Sequence, residues 1–390
     1  MTERTVKGYR NSYLSYLLMY VFYFLSMSIS SSLISVYLMS KGYSGTEVSL
    51  VVSGSYFSSM ILQPFFGILY DRYNIKKLNL LLFILAMISA FVFIFCRQLI
   101  TVVIVYSILT ILISATDTVI ERIATAAPYP YGKIRIWGTV GYALGVQLAG
   151  ILFDYIAPEA IYVTFILTLM LCTAGMLGTE PEFREEKSEK KETVSIRTLF
   201  TNTKYLYYLL LTAIITGCIS AGHTYIPAML TNIGMDASRA STVLSLATVC
   251  EAPFVLFSAY FMDRFSNKQL LFFIFGVVLI QNAIYSFRMP LGAVIAITLV
   301  AKQIPDMVLI MTNLKVVNTI VDQRQQMTAL ALIKTVRSLS SIIFNNIAGN
   351  IIDLSGYASM FRVMMFILIL GCIILFFYKI PKGDTEDLFH

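Results

Sequence analysis

The sequence predicts an all-α polytopic membrane protein with twelve transmembrane helices in two pseudo-symmetric six-helix bundles. Three observations lead there. Only 13% of the 390 residues are charged and 57% are hydrophobic, with a mean hydropathy of +0.76; a water-soluble surface normally needs about 25% charged residues. Apolar runs recur at 12–39, 47–69, 78–95, 98–126, 134–158, 160–178, 205–232, 238–262, 269–287, 290–318, 327–351 and 357–379, each long enough to cross a bilayer as a helix. One long hydrophilic stretch, TEPEFREEKSEKKETVSIRTLFTNTK (Thr179 to Lys204), parts these runs into two sets. The expected domains are an N-terminal bundle over 1–178, a cytoplasmic linker over 179–204 and a C-terminal bundle over 205–390.

The first run follows MTERTVKGYRNSY, which carries the positive charge of a signal peptide. The run is too long for a signal core and no small-residue cleavage pattern closes it, so it reads as a retained helix. Gly, Pro, Ser and Thr inside later runs are tolerated in membrane helices. With the N-terminus placed in the cytoplasm, Arg4, Lys7, Arg10, Arg72, Lys76, Lys77, Arg122, Lys133, Arg135, Arg264, Lys268, Lys315, Arg324, Lys379 and Lys382 all fall inside, together with the linker. Lys41, Arg97, Arg239, Arg288 and Arg362 fall outside. This asymmetry puts both termini in the cytoplasm of a cell-membrane protein, and the net charge of +7 reports topology, not a nucleic-acid partner. The five cysteines are scattered without a CxxC and read as buried apolar residues. No phosphate-binding loop is present, and nothing in the pattern calls for a metal, a cofactor or an enzyme.

The two sets of runs resemble each other. Residues 64–72 read PFFGILYDR and residues 256–264 read LFSAYFMDR, so Asp71-Arg72 and Asp263-Arg264 end the second run of each half, with lysines soon after. Their separation is close to half the chain, the mark of a duplicated unit. QPFFGILYDRYNIKK (63–77) resembles the loop between the second and third helices of major facilitator transporters, through Gly67, Asp71, Arg72, Lys76 and Lys77. The later Gly of that pattern is absent. The resemblance implies a gating role for Gly67, Asp71 and Arg72, and by repetition for Asp263 and Arg264.

ATDTVIERIA (115–124) sets Asp117, Glu121 and Arg122 in an otherwise apolar run. Intramembrane carboxylates are costly and usually functional. With YGKIRIWGTVGYALG (131–145) it resembles the lactose permease branch, the oligosaccharide–proton symporters. There an acid on helix four contacts sugar hydroxyls and pairs with an Arg on helix five, and an aromatic stacks on the sugar. The matching positions are Asp117, Arg135 and Tyr142, the last a Trp in the permease. Glu121 and Arg122, one turn nearer the cytoplasm, read as a local ion pair. Tyr23, Ser26, Ser30 and Ser31 on the first run are candidate cavity residues, and Gly138, Gly141, Gly145 and Gly150 a close-packing surface.

The second half repeats the theme. Glu251 in TVCEAPF matches the helix-eight carboxylate that links sugar and proton in that branch. AKQIPDMV places Lys302 and Asp306 one turn apart, with Pro305 expected to kink the helix; IKTVRSL adds Lys334 and Arg337. His223 is the nearest titratable group on the seventh run and is suited by its chemistry to proton traffic. The chain departs from the branch by lacking its acids on helix seven, by Gln281 and Asn282 on helix nine, and by Lys302 and Asp306 on helix ten. The expected substrate set is Asp117, Arg135, Tyr142, Tyr23, Lys302 and Arg337; the expected proton set is Glu251, Asp306 and His223. The function expected is secondary transport of a sugar, oligosaccharide or similar polar solute with protons, by a monomer in a lipid bilayer. A nucleoside, aromatic or organic-anion carrier, a drug exporter and a non-transporting sensor stand as the other readings.

Overall fold

A computed structural model of the protein describes residues 9–180, 197–256, 262, 264–287, 289–322 and 325–378. The described residues are helical almost throughout, with no strand among them. In order the helices are α1 (Tyr13–Ser31), α2 (Ile34–Ser40), α3 (Gly45–Arg72), α4 (Ile75–Phe95), α5 (Leu99–Thr125), α6 (Tyr131–Tyr155), α7 (Ala160–Gly178), α8 (Arg197–Thr201), α9 (Thr203–Asn232), α10 (Ala237–Leu256), α11 (Asn267–Ser286), α12 (Leu291–Ala301), α13 (Ile304–Ile320) and α14 (Gln326–Phe377). Nine described helical stretches are long and apolar enough to cross a membrane. The chain is an all-α polytopic membrane protein.

Helix ends coincide with local chemistry. Ser12 caps α1 by accepting from the Ser15 amide, and Asn74 caps α4 by accepting from Lys77, which satisfies donors that a helix start leaves open. Ser266 and Gln269 form a reciprocal capping box at α11. Gly356, at φ 78° and ψ 176°, interrupts α14; a Cβ would disfavour that left-handed backbone.

The chain divides into two compact units, one of Met1–Tyr43, Leu50–Lys187 and Pro227–Ser245, the other of Ser44–Ser49, Ser188–Ile226 and Leu246–His390. In the first, α1 packs along α6 and α7, and α4 along α5 and α7. The α1–α6 seam is close because α6 presents glycine there. A Cβ at Gly141 would strike the Val21 carbonyl of α1, backbone that cannot swing aside as a side chain can. Without a hydrophobic drive between helices in lipid, close contact of this kind carries association.

In the second unit α11 packs on α14 and α13. Tyr208 donates to Asn313 Oδ1 at 2.6 Å, and Tyr205 to the Ala329 carbonyl at 2.7 Å, joining α9 to α13 and α14. The start of α3 also belongs here. Asp353 accepts from the amides of Gly45 and Thr46 at 2.6 and 2.8 Å and from the Thr46 hydroxyl at 2.5 Å. A carboxylate on the free amides of a helix start is favoured by hydrogen bonding and by the helix dipole.

The two units share a detail. Lys76, at the start of α4, donates to the carbonyl of Thr179 just past α7. Lys268, at the start of α11, donates to the Phe376 carbonyl at the end of α14 at 2.8 Å. These lysines follow the two Asp-Arg pairs at the same spacing, so the repeated sequence corresponds to a repeated contact.

Candidate functional site

Each unit holds one polar set inside its apolar helices. In the first unit the set is built on α1, α5 and α6. Glu121 of α5 accepts from Tyr20 of α1 through Oε1 at 2.7 Å and from Tyr131 of α6 through Oε2 at 2.8 Å. Arg135, one turn beyond Tyr131, lies 5.5 Å over the Phe24 ring, a cation–π contact. Its electrostatic neighbours are Tyr20, Glu121 and Tyr131. Tyr20 is fully buried, whereas Arg135 is exposed. An exposed guanidinium with a carboxylate among its electrostatic neighbours has the donor geometry that bidentate recognition of vicinal oxygens needs.

Asp117, expected opposite Arg135, sits one turn from Glu121 on α5 and acts electrostatically on Tyr23. Tyr23 is fully buried and gives its hydroxyl to the Ile113 carbonyl at 2.8 Å, so it braces α5 beside Asp117 from within the packed core. Ser26 meets Thr168 at 2.9 Å, and Ser30 and Ser31 donate to the Met27 carbonyl of their own helix. Tyr142 is half-buried on α6. Trp137 donates its indole N–H to Tyr13 at 2.8 Å, and Tyr13 donates to the Lys133 carbonyl, locking α1 to the first turns of α6.

In the second unit the expected disturbance at Pro305 lies where one helix gives way to the next, with Lys302 and Gln303 between them still in the right-handed helical region. α12 ends at Ala301, Lys302 follows, and α13 begins at Ile304 with Pro305 in its first turn. Proline supplies no amide there and suits a helix start. The Lys302 carbonyl at the junction is met by His223 Nε2 of α9 at 2.7 Å, which as N–H donates to it. A carbonyl beside an interrupted helical ladder, away from water, needs such a partner. Asp306 pairs with Arg337 of α14 through Oδ1 and a terminal guanidinium nitrogen at 2.7 Å, each side chain 27% exposed. Lys302 lies within electrostatic reach of Glu251 and Asp306, and His223 within reach of Lys302, Asp306 and Arg337. Glu251, Lys302, Asp306, Arg337 and His223 thus form one electrostatic cluster in a single unit. Lys334 is exposed and stands outside it.

The residues expected to act in gating lie elsewhere. Gly67 has open space where a Cβ would stand; Arg72 and Arg264 are exposed. Asp263 and the side chain of Asp71 lie outside the described residues. Lys315 donates to the carbonyls of Met262 and Phe265 and so ties α13 to the segment beside Arg264.

Sequence reasoning missed the joining of Glu121 to Tyr20, Tyr131 and Arg135. The signals were faint: Tyr20 and Phe24 are spaced for one helix face, as are Asp117 and Glu121, and Tyr131 and Arg135.

Comparison with known proteins bears on the family and the fold. The model of the Major Facilitator Superfamily matches residues 16–313 and 224–388. The chain is 27% identical over 329 residues to a maltose permease of Geobacillus stearothermophilus, covering 82% of each. It is 22% identical over 375 residues to a raffinose permease of Escherichia coli, covering 89% of this chain and 88% of the permease. Among solved structures, a mutant of the nucleoside transporter NupG superposes with a TM-score of 0.81 at 14% identity, over 93% of this chain and 98% of that one. At that identity the likeness concerns the fold alone.

Proposed function

The chain belongs to the Major Facilitator Superfamily, and from that premise we propose that it is a proton-coupled symporter of a sugar or oligosaccharide working by alternating access. The observation that carries the reading is the cluster of Glu251, Lys302, Asp306 and Arg337, four charges kept inside apolar helices where each is costly. Glu251 is the proton carrier, exchanging its proton against the Lys302 charge, with Asp306 and His223 completing the relay. Arg135, Asp117 and Tyr142 bind the sugar, Arg135 through paired N–H donors and Tyr142 by stacking. Tyr23 supports Asp117, and Lys302 and Arg337 add donors from their own unit. The similarity to maltose and raffinose permeases supports the substrate class.

The bundles run over 1–178 and 205–390 with both termini in the cytoplasm. Gly67, Asp71, Arg72, Asp263 and Arg264 control the conformational change, and one chain suffices for transport.

The test is proton flux into de-energised cells on adding maltose, raffinose, sucrose, a nucleoside or an aromatic acid in turn, beside a Glu251→Gln variant. Alkalinisation of the medium by a sugar, lost in the variant, is the expected result. Sugar uptake without proton movement, equal in both proteins, overturns the coupling role. Flux with the nucleoside or the acid alone overturns the substrate class.

A further inference from the structure

We infer that Glu121, held by Tyr20 and Tyr131, is a specificity-determining residue: its negative charge offsets the cation of Arg135 so that the site takes uncharged glycosides and rejects their anionic counterparts. This deepens the sugar reading and rests on it.

The argument begins with the fixed position of the carboxylate. Each oxygen of Glu121 accepts one phenolic hydroxyl, at 2.7 and 2.8 Å, from two different helices. Two such anchors leave the side chain little freedom to swing toward an arriving ligand. One of them, Tyr20, is fully buried. Glu121 therefore serves as a standing charge beside Arg135 more than as a ligand group. Arg135 is the accessible partner, carried on the Phe24 face and acted on by Glu121 and both tyrosines.

Consider what a ligand meets. An uncharged sugar hydroxyl gains donors from the guanidinium and loses nothing to the nearby carboxylate. A ligand carboxylate gains the same donors but is repelled by Glu121, which is half-buried. A single charge within about 10 Å at an effective dielectric near 20 changes affinity by about tenfold. Arg122 follows Glu121 directly but is exposed, where solvent screens it. Without Glu121, Asp117 is the carboxylate left on that face of α5, and the balance beside Arg135 shifts toward the anion.

Trp137, the only tryptophan in the chain, lies two residues from Arg135 on α6 and reports binding directly. The purified full-length protein is titrated with p-nitrophenyl glucoside and p-nitrophenyl glucuronide, whose chromophore quenches indole emission and which differ by one carboxylate. In the unmodified chain the glucoside binds about tenfold more tightly or better. In Glu121→Gln that ratio falls about tenfold or reverses, Tyr20→Phe moves it in the same direction by less, and Glu121→Asp restores most of it. A ratio unchanged in Glu121→Gln overturns the inference while leaving the sugar reading intact. Equal weakening of both ligands also overturns it, because that marks a structural role. Quenching by neither ligand in the unmodified chain overturns the sugar reading, and the inference with it.

Discussion

The Asp306–Arg337 pair is the place where removing charge has a calculable outcome. The contact is 2.7 Å, so the charge centres lie about 4 Å apart, and their attraction at an effective dielectric near 20 is about 4 kcal/mol. Desolvation offsets part of this, and each side chain keeps 27% exposure. A lone charge left behind therefore costs less than the roughly 3–5 kcal/mol typical of a fully buried pair. The two halves of the pair are not equivalent. Arg337→Gln leaves Asp306 with Lys302 as remaining compensation and is expected to cost about 1–2 kcal/mol. Asp306→Asn leaves Arg337 and Lys302 with only Glu251 between them and is expected to cost about 2–3 kcal/mol. The double variant removes one charge of each sign and should recover at least half of the larger loss. Thermal unfolding of the detergent-purified protein measures all three, at a few degrees of midpoint per kcal/mol. If Asp306→Asn is no worse than Arg337→Gln, or the double variant loses the sum of the singles, the charge-balance reasoning is wrong.

Three further outcomes follow from contacts described above. Gly141→Ala should lower stability by about 1–3 kcal/mol, because its Cβ meets the Val21 carbonyl; an unchanged unfolding midpoint would show that α1 yields freely. Asp353→Ala removes three hydrogen bonds at the start of α3 and should cost about 2–3 kcal/mol, with faster amide exchange at Gly45 and Thr46; normal protection there would refute the clamp. Lys76→Met and Lys268→Met should each speed amide exchange in the final turn of the helix at whose end the lysine's carbonyl partner stands, α7 and α14 respectively, and an effect at only one of them would mean that the repeated contact is not a repeated function.

Much of the scaffold was legible from one-dimensional pattern. The run 160–178 is α7 to the residue, and most other runs meet their helices within three residues at each end, because an uninterrupted apolar stretch has no other way to satisfy its backbone in lipid. Pro305 announced a disturbance, and the structure resolves it into two helices. The pause at Ser32 and Leu33 between α1 and α2 carried no comparable warning, since neither residue is a breaker and tertiary packing decides the matter. The candidate sites were legible as residue types but not as partnerships. Asp306 was visible beside Lys302 on one helix, yet its 2.7 Å partner, Arg337, comes from α14. Glu121 read as the partner of its neighbour Arg122, and its bonds to Tyr20 and Tyr131 join three helices. Spacing along a helix reports faces; it says little about which face meets which.

The lysines that meet helix ends in both units have a consequence for how such a protein can change its diet. Lys76 and Lys268 engage backbone carbonyls, and a carbonyl is the same whatever side chain its residue bears. Those joints are therefore indifferent to drift in the sequence around them. The charged residues of the two polar sets are instead held by side chains, Glu121 by two phenols and Asp306 by a guanidinium, so under the proposed function a single exchange there alters what is presented to a solute. Mechanical joints written in backbone and recognition written in side chains can be edited separately. Grafting the stretch from Asp117 to Tyr142 from a relative should redirect appetite without loosening the frame.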